Sequence, residues 1–273
     1  MKNDMFLPVT RIVAVLVVPF LWLAFLILFF FPDTTGESFA WAIKPHMTSR
    51  YIGAGYLGGS WLFLNIIFGK RWHRVQGGFL AITTFTVFML LATFLHWDRF
   101  SHGRPGFYAW LILYIVTPFL VPALWFYNRK TDSGELEESD LRIPSLILWI
   151  PRLFGAAGLI FVLIGFFNPS IVVNLWAWTL TQLTARIMTG WLSLLCVGAF
   201  SMAADPRWSA WRVPLESMII WHVLVLIAAI ISAADFTNGL LSAYPLTIFA
   251  AVVGVLIYYA YMEIQRRKAP YSG

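Results

Sequence analysis

Charge is scarce in this chain. Asp, Glu, Lys and Arg make up 12% of its 273 residues, about half the share of a soluble domain. Cysteine is nearly absent: the single Cys196 lies inside an apolar segment, which excludes an intramolecular disulfide and leaves the redox compartment unread. No polar stretch is long enough for a separate soluble core, so a soluble enzyme with a membrane tail is excluded. Absent too are a phosphate-binding Gly-Lys-Ser/Thr loop, a His-Glu-x-x-His motif, paired catalytic carboxylates and any Ser-His-Asp arrangement legible from spacing.

What is present is apolar and aromatic. Hydrophobic residues are 60% of the chain and mean hydropathy is +0.75. The 24 Phe, 14 Trp and 10 Tyr exclude disorder. Eight apolar runs, near 11–31, 47–68, 77–96, 107–127, 145–167, 184–203, 213–234 and 244–263, are bounded by charges, Pro or Gly. Each is continuously apolar for about 20 residues, the length of a spanning helix, and none shows the alternation of a barrel strand. The predicted fold is an all-α integral membrane protein with eight transmembrane helices. The run Ile12–Phe31 is too long for a signal-peptide core and has no small-x-small cleavage site after it, so it is expected to remain as the first span.

The net charge of +6 has no soluble basic face from which to engage nucleic acid, which is excluded as a partner. It reads instead as topology. Five of the 19 Lys and Arg residues, Lys44, Arg50, Arg99, Arg104 and Arg186, fall on one side of the predicted spans and the other fourteen on the opposite side. The positive-inside bias then predicts a multi-pass protein of the cell membrane with both termini cytoplasmic. Trp41, Trp97, Trp110, Trp176 and Trp178 mark the outer boundary, and Trp72, Trp125, Trp149, Trp208 and Trp211 the inner one, as interfacial belts. Beyond the lipid bilayer, membrane-protein partners and a homo-oligomer stay open.

The two halves read as a duplication. Arg50 precedes Arg71-Trp72 by 21 residues, as Arg186 precedes Arg207-Trp208. Asp98 follows Arg50 by 48 residues and Asp235 follows Arg186 by 49, while Asp205 and Glu216 have no counterparts. The expectation is a 4+4 internal repeat, parallel because four spans is an even number. Residues 1–130 and 145–273 form the halves, and 131–144 an acidic cytoplasmic linker. Its carboxylates Asp132, Glu135, Glu137, Glu138 and Asp140 are expected to face solvent.

Candidate site residues follow from the cost of charge near lipid. Arg50 with Asp98, and Arg186 with Asp235, are expected to pair at the outer surface and flank a vestibule for an anionic group. His222 sits about 13 Å into its helix at 1.5 Å per residue, which makes it a candidate proton relay or haem ligand, or a helix-packing imidazole. His46, His96 and His102, with Asp98, are weak metal candidates because their spacing matches no tight motif. Gly55 and Gly59 form a Gly-x-x-x-Gly pair expected to pack helices, and Pro118 and Pro122 should kink the fourth span.

Three function classes remain. A small-molecule binding or transport bundle with an outward-facing polar vestibule leads. A structural or assembly subunit of a larger membrane complex follows, and a haem- or metal-dependent membrane enzyme comes last because only the outer His/Asp group and His222 offer a reactive constellation. No cofactor is specified by the sequence, and a non-enzymatic role is the expectation.

Overall fold

The computed structural model describes residues 3–237 and 240–268; Lys2, one of the fourteen basic residues above, lies outside them. Among the described residues, eight helices are long and apolar enough to cross a membrane. They are α1 (Pro8–Phe30), α3 (His46–Phe68), α4 (Gln76–Leu95), α5 (Pro105–Asn128), α6 (Ser145–Phe167), α8 (Gln182–Ala203), α9 (Trp208–Ile231) and α10 (Leu240–Lys268). Two short helices, α2 (Thr35–Ser38) and α7 (Pro169–Leu175), fill the connections α1–α3 and α6–α8. At 1.5 Å per residue the 23 residues of α1 reach about 35 Å, enough for a hydrocarbon layer of about 30 Å.

Local sequence sets the helix starts. Pro8 and Pro105 occupy first-turn positions, where a missing N–H costs nothing and the fixed φ is already helical. The α8 start is a capping box: Thr181 accepts from the Thr184 backbone N–H and its own N–H is bound by the Thr184 hydroxyl.

Packing crosses the midpoint of the chain. The hairpin partners α3 and α4 share no extended face; α3 lies along α1 and α9, while α4 lies along α5 and α8. On the other side α8 also packs on α6, and α9 on α10. Glycine spacing on α3 permits this. A Cβ at Gly55 would fall 2.4 Å from the Trp191 ring, and one at Gly58 would fall 2.7 Å from Trp221 Cβ and 2.8 Å from the Ser217 carbonyl oxygen. At Gly59, by contrast, a Cβ would meet nothing within 4 Å. The close contacts of α3 are therefore made by Gly55 and Gly58, not by Gly55 and Gly59. Gly58→Val should lower the stability of the detergent-solubilised protein by about 1–3 kcal/mol through overpacking. Gly59→Ala should leave it unchanged or raise it by up to about 1 kcal/mol from helix propensity. Thermal unfolding of the two variants checks this, and equal losses would contradict the packing described.

Aromatic rings fill the junction. Tyr51 and Trp191 both pack on Trp221, and Trp191 also meets Tyr56 and Phe85 at centroid distances of 5.1 and 4.5 Å. The expected tryptophan belts need correction. Trp41, Trp72, Trp110, Trp178, Trp208 and Trp211 are buried inside the protein, whereas Trp97 and Trp149 are exposed. They sit at helix ends as their positions imply, but the loops there fold back and cover the rings.

Several local arrangements occur twice. Met5 bridges Arg71 and Arg142 bridges Arg207. The Trp72 N–H donates to the Asp4 carbonyl and the Trp208 N–H to the Leu141 carbonyl, each at 2.9 Å. Trp41 and Trp178 are both buried, and each follows by three residues a short helix, α2 after α1 and α7 after α6.

Candidate functional site

The arginines singled out from sequence do not pair with Asp98 and Asp235. Arg50 donates through Nε to the Phe29 carbonyl at 3.3 Å and through Nη1 to Ser232 Oγ at 2.6 Å. Arg186 donates through Nε to the Phe166 carbonyl at 3.0 Å, and its Nη1 lies 2.6 Å from His96 Nε2. Each guanidinium thus satisfies a carbonyl at a helix end, which has no intrahelical partner, and reaches across to the residue that caps the C-terminus of α9 or α4. The within-half pairing fails because α4 ends beside α8 rather than beside α3. Asp98 instead pairs with its exposed neighbour Arg99 at 3.3 Å, and Asp235 Oδ2 accepts the Met47 N–H at 2.8 Å, capping the start of α3.

The imidazoles disperse. His46 pairs with Asp33 at 2.8 Å, His102 Nε2 bonds the Trp97 carbonyl at 2.8 Å, and His96 faces Arg186. Burial and then the Arg186 charge lower the His96 pKa, which suits a neutral ring accepting from the guanidinium. Among the described residues no cluster of three His, Cys, Asp or Glu side chains has the geometry to hold a metal ion. His222 donates from Nδ1 to the Met218 carbonyl one turn back, at 2.8 Å, beside the Trp221 ring.

The principal polar site lies at the other end of the bundle, where the loops 69–75 and 204–207 meet the acidic segment. That segment is not a solvated run. Asp132 binds Arg207, Glu137 binds Arg74 and Asp140 binds Ser209, while Glu135 and Glu138 remain exposed. Arg207, whose side chain is 8% exposed, holds two carboxylates: Nη1 and Nη2 reach Asp132 at 2.9 and 2.7 Å, and Nη2 reaches Asp205 at 2.6 Å. Gln76 Nε2 donates to both carboxylates at 3.0 Å. Burial opposes ionisation of Asp132, but hydrogen bonds from Arg207 and the Gly134 N–H outweigh it and hold its pKa at about 2. Burial likewise works against the Arg207 charge, and its two carboxylates reverse the sign and raise its pKa. Beside this cluster opens a cleft of about 390 Å³. Gln76, Arg142 and the Arg207 cluster form its polar side, and Leu80, Trp125 and Leu136 an apolar wall.

Next to the cleft lies a buried chain of four side chains. Asp4 accepts the His73 backbone N–H at 3.0 Å and faces His73 Nδ1 at 2.5 Å. His73 Nε2 lies 2.8 Å from Ser209 Oγ and 3.2 Å from Glu137 Oε1. Asp140 accepts the Ser209 N–H at 3.0 Å and its hydroxyl at 2.5 Å. Asp4 and Asp140 are 136 positions apart, as are His73 and Ser209, so the same aspartate contact is made twice at one spacing and the two meet at the hydrogen bond between His73 and Ser209. A Ser-His-Asp arrangement is therefore present although spacing did not reveal it. It is not set up as a nucleophile: Ser209 Oγ gives its proton to Asp140, and His73 and Ser209 are 1% and 3% exposed. Its chemistry is that of a joint that ties the segments leading into α1, α4 and α6 to the first turn of α9. A trace of it exists in the sequence, since Asp4 and Asp140 stand four and five residues before the first residues of α1 and α6. Comparison with protein-family models, curated proteins and solved structures returns no match for this chain.

Proposed function

We propose that the protein is a duplicated, small-molecule binding bundle of the cell membrane whose ligand site is the cleft beside Arg207. The observation that carries this reading is the cleft itself. Its volume of about 390 Å³ falls within the roughly 300–1,000 Å³ typical of ligand sites, and it combines an apolar wall with a few convergent polar groups. The site belongs on the basic face rather than in an outer vestibule, because Arg50 and Arg186 are already engaged by helix-end carbonyls and by Ser232 and His96.

The 14-to-5 distribution of Lys and Arg supports a cytoplasmic location for that face and for both termini. Duplication with parallel halves is supported by the paired backbone bridges, the paired arginine contacts and the two aspartate contacts. Binding is favoured over passage across the membrane because Tyr51, Trp191 and Trp221 fill the junction between the halves.

Native mass spectrometry of protein released from mild detergent tests the proposal. Wild type should carry a co-purified molecule, and Leu80→Trp, which fills the cleft from its apolar wall, should lose it. Arg142→Glu, at the polar side, should retain a reduced fraction. A species with no adduct, or an adduct equally retained by both variants, overturns the cleft as a ligand site.

A further inference from the structure

A second cavity, of about 90 Å³, lies in the membrane-spanning part of the bundle, among α1, α3, α4, α5 and α8. Its lining on α1 runs from Thr10 to Leu21 and on α5 from Leu113 to Leu124. Eleven residue steps at 1.5 Å make a slot about 16 Å long and parallel to the helix axes, against about 15 Å for half of a 30 Å hydrocarbon layer. α1 packs along α3 and α5 along α4, and no extended face joins α1 to α5, so the slot opens sideways between them.

The chemistry of the walls selects the occupant. Every hydroxyl in the lining is already engaged. Tyr56 and Tyr114 bond each other at 2.9 Å. Thr117 and Thr86 donate to carbonyls of their own helices at 2.7 and 3.0 Å, and Thr10 accepts from Asn128 at 2.6 Å. The Trp191 indole N–H of the lining has no partner, but one donor does not hold a water, which needs two to four polar partners, so the cavity takes apolar guests. Gly59 lines it with open space in front of its Cα.

We infer that this slot is a binding site for one acyl chain of a membrane lipid in the leaflet next to the basic face. Its length matches one leaflet, its axis matches the direction of the chains, its walls offer a polar ligand no more than the single Trp191 indole N–H, and its mouth faces the bilayer. The enclosed space holds a stretch of the chain while the remainder lies between α1 and α5. The site is separate from the cleft beside Arg207 and does not depend on it.

The test is photolabelling in vesicles of phosphatidylethanolamine and phosphatidylglycerol containing a phospholipid with a diazirine along its acyl chain, with label mapped by mass spectrometry. Label should concentrate on Val17 and Leu120 of the slot relative to Ile112 and Phe119, which are exposed on the outer face of α5. Gly59→Phe should reduce slot labelling about fivefold, because a ring there takes close-packed space the chain needs, and should leave Ile112 and Phe119 labelling unchanged. If Gly59→Phe does not fold, Val17→Phe narrows the slot from the opposite wall and carries the same expectation. Slot labelling no higher than that of the outer face, or unaffected in a folded variant, overturns the site.

Discussion

Arg207→Met should lower the stability of the detergent-solubilised protein by about 3–5 kcal/mol, the usual cost of removing one partner from a buried ion cluster. The loss comes less from the missing contacts than from what remains: Asp132 and Asp205 are left side by side with Gln76 as their shared donor. Adding Asp132→Asn and Asp205→Asn to Arg207→Met should recover much of the loss, since replacing a whole buried cluster costs far less than breaking it. Thermal unfolding of the single and triple variants reads both effects, and simple additivity would show that the three side chains are not coupled. The wild-type cluster also has an acid limit. Because the Asp132 pKa is depressed to about 2 from the ordinary aspartate value of 3.8, its stabilisation is complete above about pH 4. It is lost as pH falls through about 2, where the folded state must take up the proton.

His73→Ala should be comparably damaging, at about 3–5 kcal/mol, because it strips the Asp4 carboxylate of its buried imidazole and severs the link to Ser209. Asp4→Asn on the same background should restore part of the loss by removing the stranded charge. Ser209→Ala should cost less, about 1–3 kcal/mol, since it removes a hydroxyl and leaves Asp140 with its bond from the residue 209 backbone N–H. Chemical denaturation of the three variants supplies the ranking. If Ser209→Ala were the most damaging, the joint would depend on the hydroxyl rather than on the buried aspartate–histidine pair.

The spans were readable because each is a long apolar run, and the observed helix ends fall within a few residues of those runs at nearly every boundary. Gly55 as a packing residue was legible for the same reason: a missing side chain on a membrane helix has few uses. The neighbours of the helices were not legible. Sequence proximity suggested that α3 and α4 lie together, and that assumption placed Asp98 beside Arg50; the observed cross-packing gives Arg50 to Ser232 and Arg186 to His96. The acidic segment misled in another way. Composition alone cannot distinguish a carboxylate facing water from one facing Arg207, and Asp132 and Glu135, three residues apart, do one each. His73 escaped notice because it lies in a loop among basic residues, where a charged ring needs no explanation, and its partners are 69 and 136 positions away.

Cross-packing also governs the order of events during synthesis. α4 is complete at Leu95, yet α3 meets α9 only when Ile231 has been made. At 5–20 residues per second the first hairpin waits on the order of ten seconds in the bilayer with the faces that α9 and α8 later cover still bare. During that interval the glycine face of α3 and the inner face of α4 are open to any matching helix, including α3 and α4 of another nascent copy. The covalent connection between the halves gives the α8–α9 hairpin of the same chain a concentration advantage over such exchange, and a polypeptide stopped before α9 would present to the membrane's quality control the surface that the finished protein conceals.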